Sequence, residues 1–266
     1  MSTKLGIIGG GVMGEALLSR LVMQKTYAPE HVIVSEPQEQ RRDALARQYG
    51  VQVTADNQNV VATANVLLLA IKPQVFDAVV AGLSQSESEQ LVISILAGIP
   101  LQKLEAAFER QPVIRAMPNT PATVGVGMTA IAPGTHVTSE HTAIAKQLFQ
   151  AVGDVVEVPE SMMDAVTGLS GSGPGYVAVV IEALTDGGVA AGLPRAIAAQ
   201  LALQTVRGTA ELLHTSGLHP AELKDRVTSP GGTTIAGIAQ LEKAGLRSAL
   251  IEAVKAAYQR SLELGR

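Results

Sequence analysis

Short, mostly apolar runs recur along the chain as far as Pro159: Lys4 to Ile8, His31 to Ser35, Val51 to Val53, Val66 to Ile71, Leu91 to Leu96, Val113 to Ala116, Met128 to Ile131 and Val155 to Val158. A strand with one wet face alternates apolar with polar residues. A run such as Val66-Leu67-Leu68-Leu69-Ala70 instead predicts a strand covered on both faces, as in a parallel sheet. Helical patterns separate the runs, the first from Glu15 to Met23. Strands therefore alternate with helices, and the expected class is α/β: residues 1–159 form an N-terminal Rossmann-type, doubly wound, mostly parallel sheet.

Past Pro159 the pattern changes. Ser161-Met162-Met163-Asp164 reads as a helix start, and from Pro174 the chain is almost entirely helical, broken at Gly192-Leu193-Pro194, His219-Pro220 and a loop at Ser229. Residues 160–266 are expected to form an all-helical second domain. Its helix from Pro174 to Ala191 carries only Glu182 and Asp186 as charges, and the next, Pro194 to His214, is nearly as apolar around Ala198 to Ala202. Helices apolar on every side need cover, and about a hundred residues cannot bury both alone. A homodimer is expected, with these helices packed against a partner's copies.

Two glycine-containing turns carry candidate chemistry. After the first strand, Gly9-Gly10-Gly11-Val12-Met13-Gly14 leads into a helix, and Gly9, Gly11 and Gly14 match the G-x-G-x-x-G spacing. The first glycine permits the tight turn, the second admits a pyrophosphate against the backbone, and the third lets helix pack on strand. The place that reads the adenosine ribose, about twenty residues on, holds Ser35 and Glu36. Glu36 suits a free 2′-hydroxyl and NADH; Ser35 with Arg41 or Arg42 suits a 2′-phosphate. The residues leave both open. The second turn, Thr228-Ser229-Pro230-Gly231-Gly232-Thr233-Thr234, opens a helix. Its glycines let backbone N–H groups approach a small anion, and Thr233 or Thr234 is expected to cap the helix.

Composition removes several classes. The net charge of −4, the absence of a basic patch and an aromatic content of 3% argue against nucleic acid. With no cysteine there is neither disulfide nor thiolate chemistry. The five histidines lack metal-ligand spacing, so no metal is expected. Prolines and glycines interrupt each long uncharged stretch, so no membrane span is expected; with no signal-peptide pattern, the expected location is the cytoplasm.

Four segments together resemble pyrroline-5-carboxylate reductases, in that family's order and across the whole chain: Ala70-Ile71-Lys72-Pro73-Gln74, Val113 to Pro121, Gly171-Ser172-Gly173-Pro174 and Thr228 to Thr234. The resemblance implies reduction of Δ1-pyrroline-5-carboxylate to L-proline, with NADPH as cofactor and NADH as the alternative, in a homodimer that assembles into a ring of dimers. It implies Thr234 as the catalytic hydroxyl at the ring nitrogen, with Ser229, Gly231, Gly232, Thr233 and Thr234 receiving the substrate carboxylate. For the cofactor it implies Ile8, Gly9, Gly10, Gly11, Val12, Met13 and Gly14 at the turn, Ser35 at the ribose and Asn57 near the adenine. Ala70, Ile71, Lys72 and Pro73 would follow at a strand end. Leu96 and Ala97 would lie nearer the nicotinamide, and Met117, Pro118 and Asn119 beneath it. The alternatives are a related imine reductase or β-hydroxyacid dehydrogenase-like enzyme, against which the Ser229 loop argues, and a non-catalytic dinucleotide sensor.

Overall fold

The computed structural model describes residues 4–84 and 90–265. Within them each apolar run becomes a strand: β1 (Leu5–Ile8), β2 (Val32–Ser35), β3 (Gln52–Thr54), β4 (Val66–Leu69), β5 (Leu91–Ser94), β6 (Val113–Met117), β7 (Gly127–Pro133) and β8 (Gly153–Glu157). They form one sheet in the order β3-β2-β1-β4-β5-β6-β7-β8. Strands β1 to β6 are parallel, β7 runs antiparallel to β6, and β8 is parallel to β7.

The absence of alternation now has its cause. Val66 and Leu68 belong to one core, with Leu17, Leu18 and Leu21 of α1 (Val12–Met23), Leu45 of α2 (Glu39–Tyr49) and Leu148 and Phe149 of α6 (Ser139–Gln150). Leu67 and Leu69 belong to the other, with Val60 and Val61 of α3 (Asn57–Thr63), Phe76 of α4 (Phe76–Ala81) and Leu101 and Leu104 of α5 (Leu101–Ala107). Every residue of β4 is therefore packed on one side of the sheet or the other. The chain order reverses between β1 and β4, and Ile8, Ser35 and Leu69 end their strands in register. Open parallel sheets bind ligands at such a switch point, on the carboxyl edge.

From Glu160 the chain is helical: a 3-10 turn at Glu160–Met162, α7 (Met163–Val166) and a π turn at Thr167–Gly171. Contacts divide the molecule into two compact units. The first runs to Ser172 and takes in the chain again from Ala256; the second is Gly173–Lys255. The second contains α8 (Gly173–Ala190), α9 (Arg195–Ser216), α10 (Pro220–Arg226), α11 (Thr233–Lys243) and the first part of α12 (Leu246–Leu264).

In the second unit α8 and α9 pack closely, because Gly188 has no side chain to hold Ala198 away. Only Thr185, Ala198 and Ala202 of these two helices are buried. Val179, Leu184, Leu201 and Leu203 remain 50–63% exposed. One chain leaves these apolar side chains uncovered.

In the first unit the end of α12 is anchored by Ser261, whose hydroxyl donates to Asp164 Oδ1 at 2.7 Å. Arg115 on β6, almost wholly buried, pairs with Glu160 at 2.7 Å and lies 3.9 Å from Asp164. Glu160 also accepts the N–H of Leu101, the first residue of α5. One buried guanidinium thereby joins the sheet to the first helical turns and, through Asp164, to the chain terminus.

Candidate functional site

The glycine turn is strung across the switch point. Gly9 N–H donates to Ser35 O at 2.9 Å, and Ala70 N–H donates to Ile8 O at 2.8 Å, prolonging the β1 pairings past the strand ends. Gly9 has φ +109°, and a side chain there would strike the Ala70 carbonyl. A Cβ on Gly14 would fall 2.2 Å from Gly9 O. Gly11 differs: it is the N-cap of α1, it is exposed, and a Cβ there would meet nothing within 4 Å. No side chain caps α1. Exposed Val12 and half-buried Met13 follow, and their N–H groups lie in the first helical turn, where the backbone has no internal acceptor for them. An open hollow at an uncapped helix N-terminus fits the diphosphate of a dinucleotide.

The last residue of β2 and the one after it face opposite ways. Ser35 Oγ is hydrogen-bonded to Asn57 Oδ1 at the start of α3. Glu36, 8% exposed, turns under the loop, where its two carboxylate oxygens accept the N–H groups of Gly10 and Gln38 at 3.1 and 3.0 Å. Arg41 and Arg42, expected near a 2′-phosphate or on the surface, donate to backbone carbonyls: Arg41 to Gly10 O, and Arg42 to Glu36 O and Pro37 O. Tyr49 donates to Glu15 at 3.0 Å, and burial together with this carboxylate raises the phenol above its usual pKa, so it stays a donor.

Farther along the edge, Ala70 and Ile71 leave β4 half-buried and Lys72 is exposed before Pro73, which opens a 3-10 turn. After β5, Ser94 Oγ accepts the Leu96 N–H at 3.4 Å; Leu96 is buried and Ala97 exposed. β6 ends at half-buried Met117, and buried Pro118 and half-buried Asn119 follow. The Asn119 side chain is a brace: Oδ1 accepts Met128 N–H at 2.9 Å and Nδ2 donates to Ser170 O at 3.1 Å. The fold thus brings residues 8–14, 35, 57, 70–73, 96–97 and 117–119 to one edge of the sheet in the first unit.

The Ser229 loop lies in the second unit. Gly231 has φ +67°, and Gly232 N–H closes the turn onto Ser229 O at 3.0 Å. Here one expectation is corrected. The N-cap of α11 is Gly232, without a side-chain cap, and Thr233 and Thr234 are the first two helical residues. The chain reaches helical geometry one residue earlier than a threonine cap requires. Both threonines are exposed, and neither hydroxyl has a hydrogen-bond partner among the described residues. The nearby cations are paired, Arg226 with Glu222 and Lys224 with Asp225. The loop thus offers N–H and O–H donors without an acid or base.

Among the described residues no group of three or more His, Asp or Glu side chains is placed to hold a metal. No described helix is long and apolar enough to cross a membrane.

Two family models match. One, described as NADP oxidoreductase coenzyme F420-dependent, covers residues 4–98; the other, described as pyrroline-5-carboxylate reductase dimerisation, covers residues 160–264. A pyrroline-5-carboxylate reductase from Synechocystis is 64% identical over all 266 residues, with both chains fully covered. The chain belongs to the pyrroline-5-carboxylate reductase family. Among solved structures of the family, that from Coxiella burnetii matches with a TM-score of 0.93 at 32% identity, covering both chains fully. That from Plasmodium falciparum, with NADP bound, matches with a TM-score of 0.90 at 31% identity over 100% of this chain and 99% of its own.

The chain is a homo-oligomer, and the exposed apolar sides of α8 and α9 lie within the residues matched to the dimerisation model. Two sets of contacts escaped the motif reading. Glu36 and Arg41 hold the glycine turn from behind, and Arg115 with Glu160 and Asp164 fastens the terminus. The signal for the second set was an arginine inside an otherwise apolar strand, Val113-Ile114-Arg115-Ala116, since a buried guanidinium requires carboxylates within reach.

Proposed function

We propose that the chain reduces Δ1-pyrroline-5-carboxylate to L-proline, the last step of proline biosynthesis, with NADPH as hydride donor and NADH as a second donor. The observation that carries this reading is the uncapped first turn of α11, where exposed Thr233 and Thr234 keep unbonded hydroxyls behind the Ser229-Pro230-Gly231-Gly232 turn. Full-length relatives named for this reaction support it.

NADPH, when bound, supplies the hydride for the imine carbon. The residues that would hold it are Ile8 to Gly14 at the diphosphate, Ser35 and Asn57 toward the adenosine, and Ala70 to Pro73, Leu96, Ala97 and Met117 to Asn119 along the edge. The bound NADP of the Plasmodium falciparum relative supports the choice of cofactor. In the second unit, the N–H groups of Gly231 to Thr234 and the hydroxyl of Ser229 receive the substrate carboxylate where a cap would sit. The Thr234 hydroxyl holds the ring nitrogen. A cyclic imine can enter already protonated. Addition of hydride then makes the C–H bond, the C=N π pair becomes the nitrogen lone pair, and no side chain has to surrender a proton. A positioned neutral hydroxyl is sufficient where a ketone would need an acid.

The functional division falls near Pro159: residues 1–159 seat the cofactor and residues 160–266 bind substrate and dimerise. The dimerisation match from residue 160 and the change to helix at Glu160 support it. The dimers assemble further into a ring. A groove on the second unit lined by Ile238, Leu241, Leu246 and Leu250 offers apolar surface for a second contact. The cysteine-free chain needs no oxidising compartment, and we place it in the cytoplasm.

The test is loss of NADPH absorbance on addition of Δ1-pyrroline-5-carboxylate. Thr234→Ala is expected to lower kcat/KM by about ten- to a thousandfold, the range for a lost positioned hydrogen-bonding group, with unchanged melting. Unchanged kcat/KM would remove Thr234 from the mechanism, and absence of imine-dependent oxidation by the native chain would remove the reading itself.

A further inference from the structure

Successive strand residues face opposite sides of a sheet. Along β2, Val32 and Val34 enter the core under α1 and α2, whereas Ile33 enters the core under α3. Ser35 continues the second set and meets Asn57 of α3; Glu36 continues the first and lies against the back of the glycine turn. The ribose side of the β2 end and the Glu36 carboxylate are therefore on opposite faces.

The carboxylate is also fully engaged. Oε2 accepts Gly10 N–H at 3.1 Å and Oε1 accepts Gln38 N–H at 3.0 Å. From α2, Arg41 Nε donates to Gly10 O at 2.9 Å, and the same guanidinium pairs with Glu15 of α1 at 2.5 Å. Gly10 sits so close to α2 that a Cβ would come 2.6 Å from Leu45 Cδ1. Both peptide groups flanking Gly10 are thus held from behind, one through its N–H and one through its carbonyl.

We infer that Glu36 is a positioning residue for the dinucleotide loop and does not read the cofactor's 2′ position. Together with Arg41 it fixes the peptide planes on either side of Gly10, which sets the direction in which Gly11, Val12 and Met13 present their N–H groups. An acid at this place ordinarily signals NADH through the ribose hydroxyls. Here the carboxylate is turned away from that side, and the choice between NADPH and NADH lies with other residues. The inference rests on residues 9–14 being the dinucleotide seat.

The experiment compares KM and kcat for NADPH and NADH in the native enzyme, Glu36→Ser, Glu36→Gln and Arg41→Met, with melting and direct nucleotide binding. Positioning predicts that Glu36→Ser raises KM for both nucleotides by the same factor, about tenfold, with kcat at saturation within about twofold. Arg41→Met should act in the same direction. Glu36→Gln keeps the shape and one acceptor oxygen but sets its amide N–H2 against the other backbone N–H, so it should fall between native and Glu36→Ser, again equally for both nucleotides. The charge distinguishes the two ideas even if Glu36→Ser does not fold: a shift of the NADPH/NADH preference by more than about fivefold in Glu36→Gln would overturn the inference. Unchanged KM for both nucleotides in folded Glu36→Ser would overturn it as well. If the native protein binds neither nucleotide, the seat itself has been misread, an outcome distinct from an altered ratio or an unaltered KM.

Discussion

Alanine at Gly14 and alanine at Gly11 should fail in different ways. The Gly14 methyl would lie 2.2 Å from the Gly9 carbonyl oxygen. Carbon and oxygen normally approach to about 3.3 Å, so about 1 Å must open between α1 and the turn. Both partners are backbone held by the sheet, and overpacking of this kind costs about 1–3 kcal/mol. Gly14→Ala is therefore expected to lower stability and to weaken cofactor binding together. The Gly11 methyl meets nothing within 4 Å, and the backbone there, φ −70° and ψ −174°, accepts alanine. Its cost is at most about 1 kcal/mol of capping preference. The same methyl would occupy the hollow proposed for the diphosphate, so NADPH affinity should fall at least about tenfold, equivalent to 1.4 kcal/mol or more. Denaturant unfolding and fluorescence titration with NADPH separate the two effects. Native affinity in Gly11→Ala would show that the diphosphate does not approach that face, and native stability in Gly14→Ala would refute the steric reasoning.

Two further outcomes follow from the packing. Arg115→Met leaves Glu160 and Asp164 without their cation; since those carboxylates are 31% and 23% exposed, the loss is expected at about 2–4 kcal/mol by denaturant unfolding, toward the low end for a broken buried pair, and less than about 1 kcal/mol would show that water replaces the guanidinium. Leu201→Glu, on a side chain 53% exposed in one chain but within the dimerisation domain, should shift the protein toward monomer in sedimentation velocity while leaving its helical content unchanged; an unaltered oligomer would place Leu201 outside the contact.

The sheet was legible because its central strands are buried on both faces. Val66-Leu67-Leu68-Leu69 feeds two cores at once, and that leaves a mark in the sequence which no neighbour is needed to interpret. The helical part was legible for the opposite reason: α8 and α9 carry more apolar surface than one chain covers, so the excess pointed to a second copy. Side-chain direction was not legible. Ser35 and Glu36 are adjacent and both polar, and only the placement of Asn57 on one face and Gly10 on the other assigns them different tasks. The cap of α11 was also hidden, since Gly232, Thr233 and Thr234 are all compatible with a helix start, and the turn closing onto Ser229 O selects the glycine. The fastening of the terminus depends on contacts of long sequence separation, Arg115 with Glu160 and Asp164 with Ser261, which no local pattern encodes.

Both proposed seats share one physical design on two unrelated helices. α1 begins at Gly11 and α11 at Gly232, and neither has a side-chain cap. Among the described helices Asp56 caps α3, Thr138 caps α6 and His219 caps α10, whereas α2, α5 and α9 also start without a side-chain cap, so it is the glycine turn before α1 and α11, and not the bare start alone, that marks a seat. A capping side chain would stabilise α1 or α11 by about 1 kcal/mol, but it would do so by engaging the N–H groups that an anion needs. On the proposed reading, the cofactor diphosphate and the substrate carboxylate each act as the missing cap. Ligand then adds the stabilisation that a capping side chain would have supplied. The cations close to the Ser229 loop in sequence are engaged by carboxylates, Arg226 by Glu222 and Lys224 by Asp225, which leaves the partial positive charge at the start of α11 to attract the substrate carboxylate. A backbone-built seat makes specificity depend on where the peptide planes point. That is why the residues fixing those planes, Glu36 and Arg41 behind the first turn and Ser229 beneath the second, bear on function as directly as the residues that face the ligands.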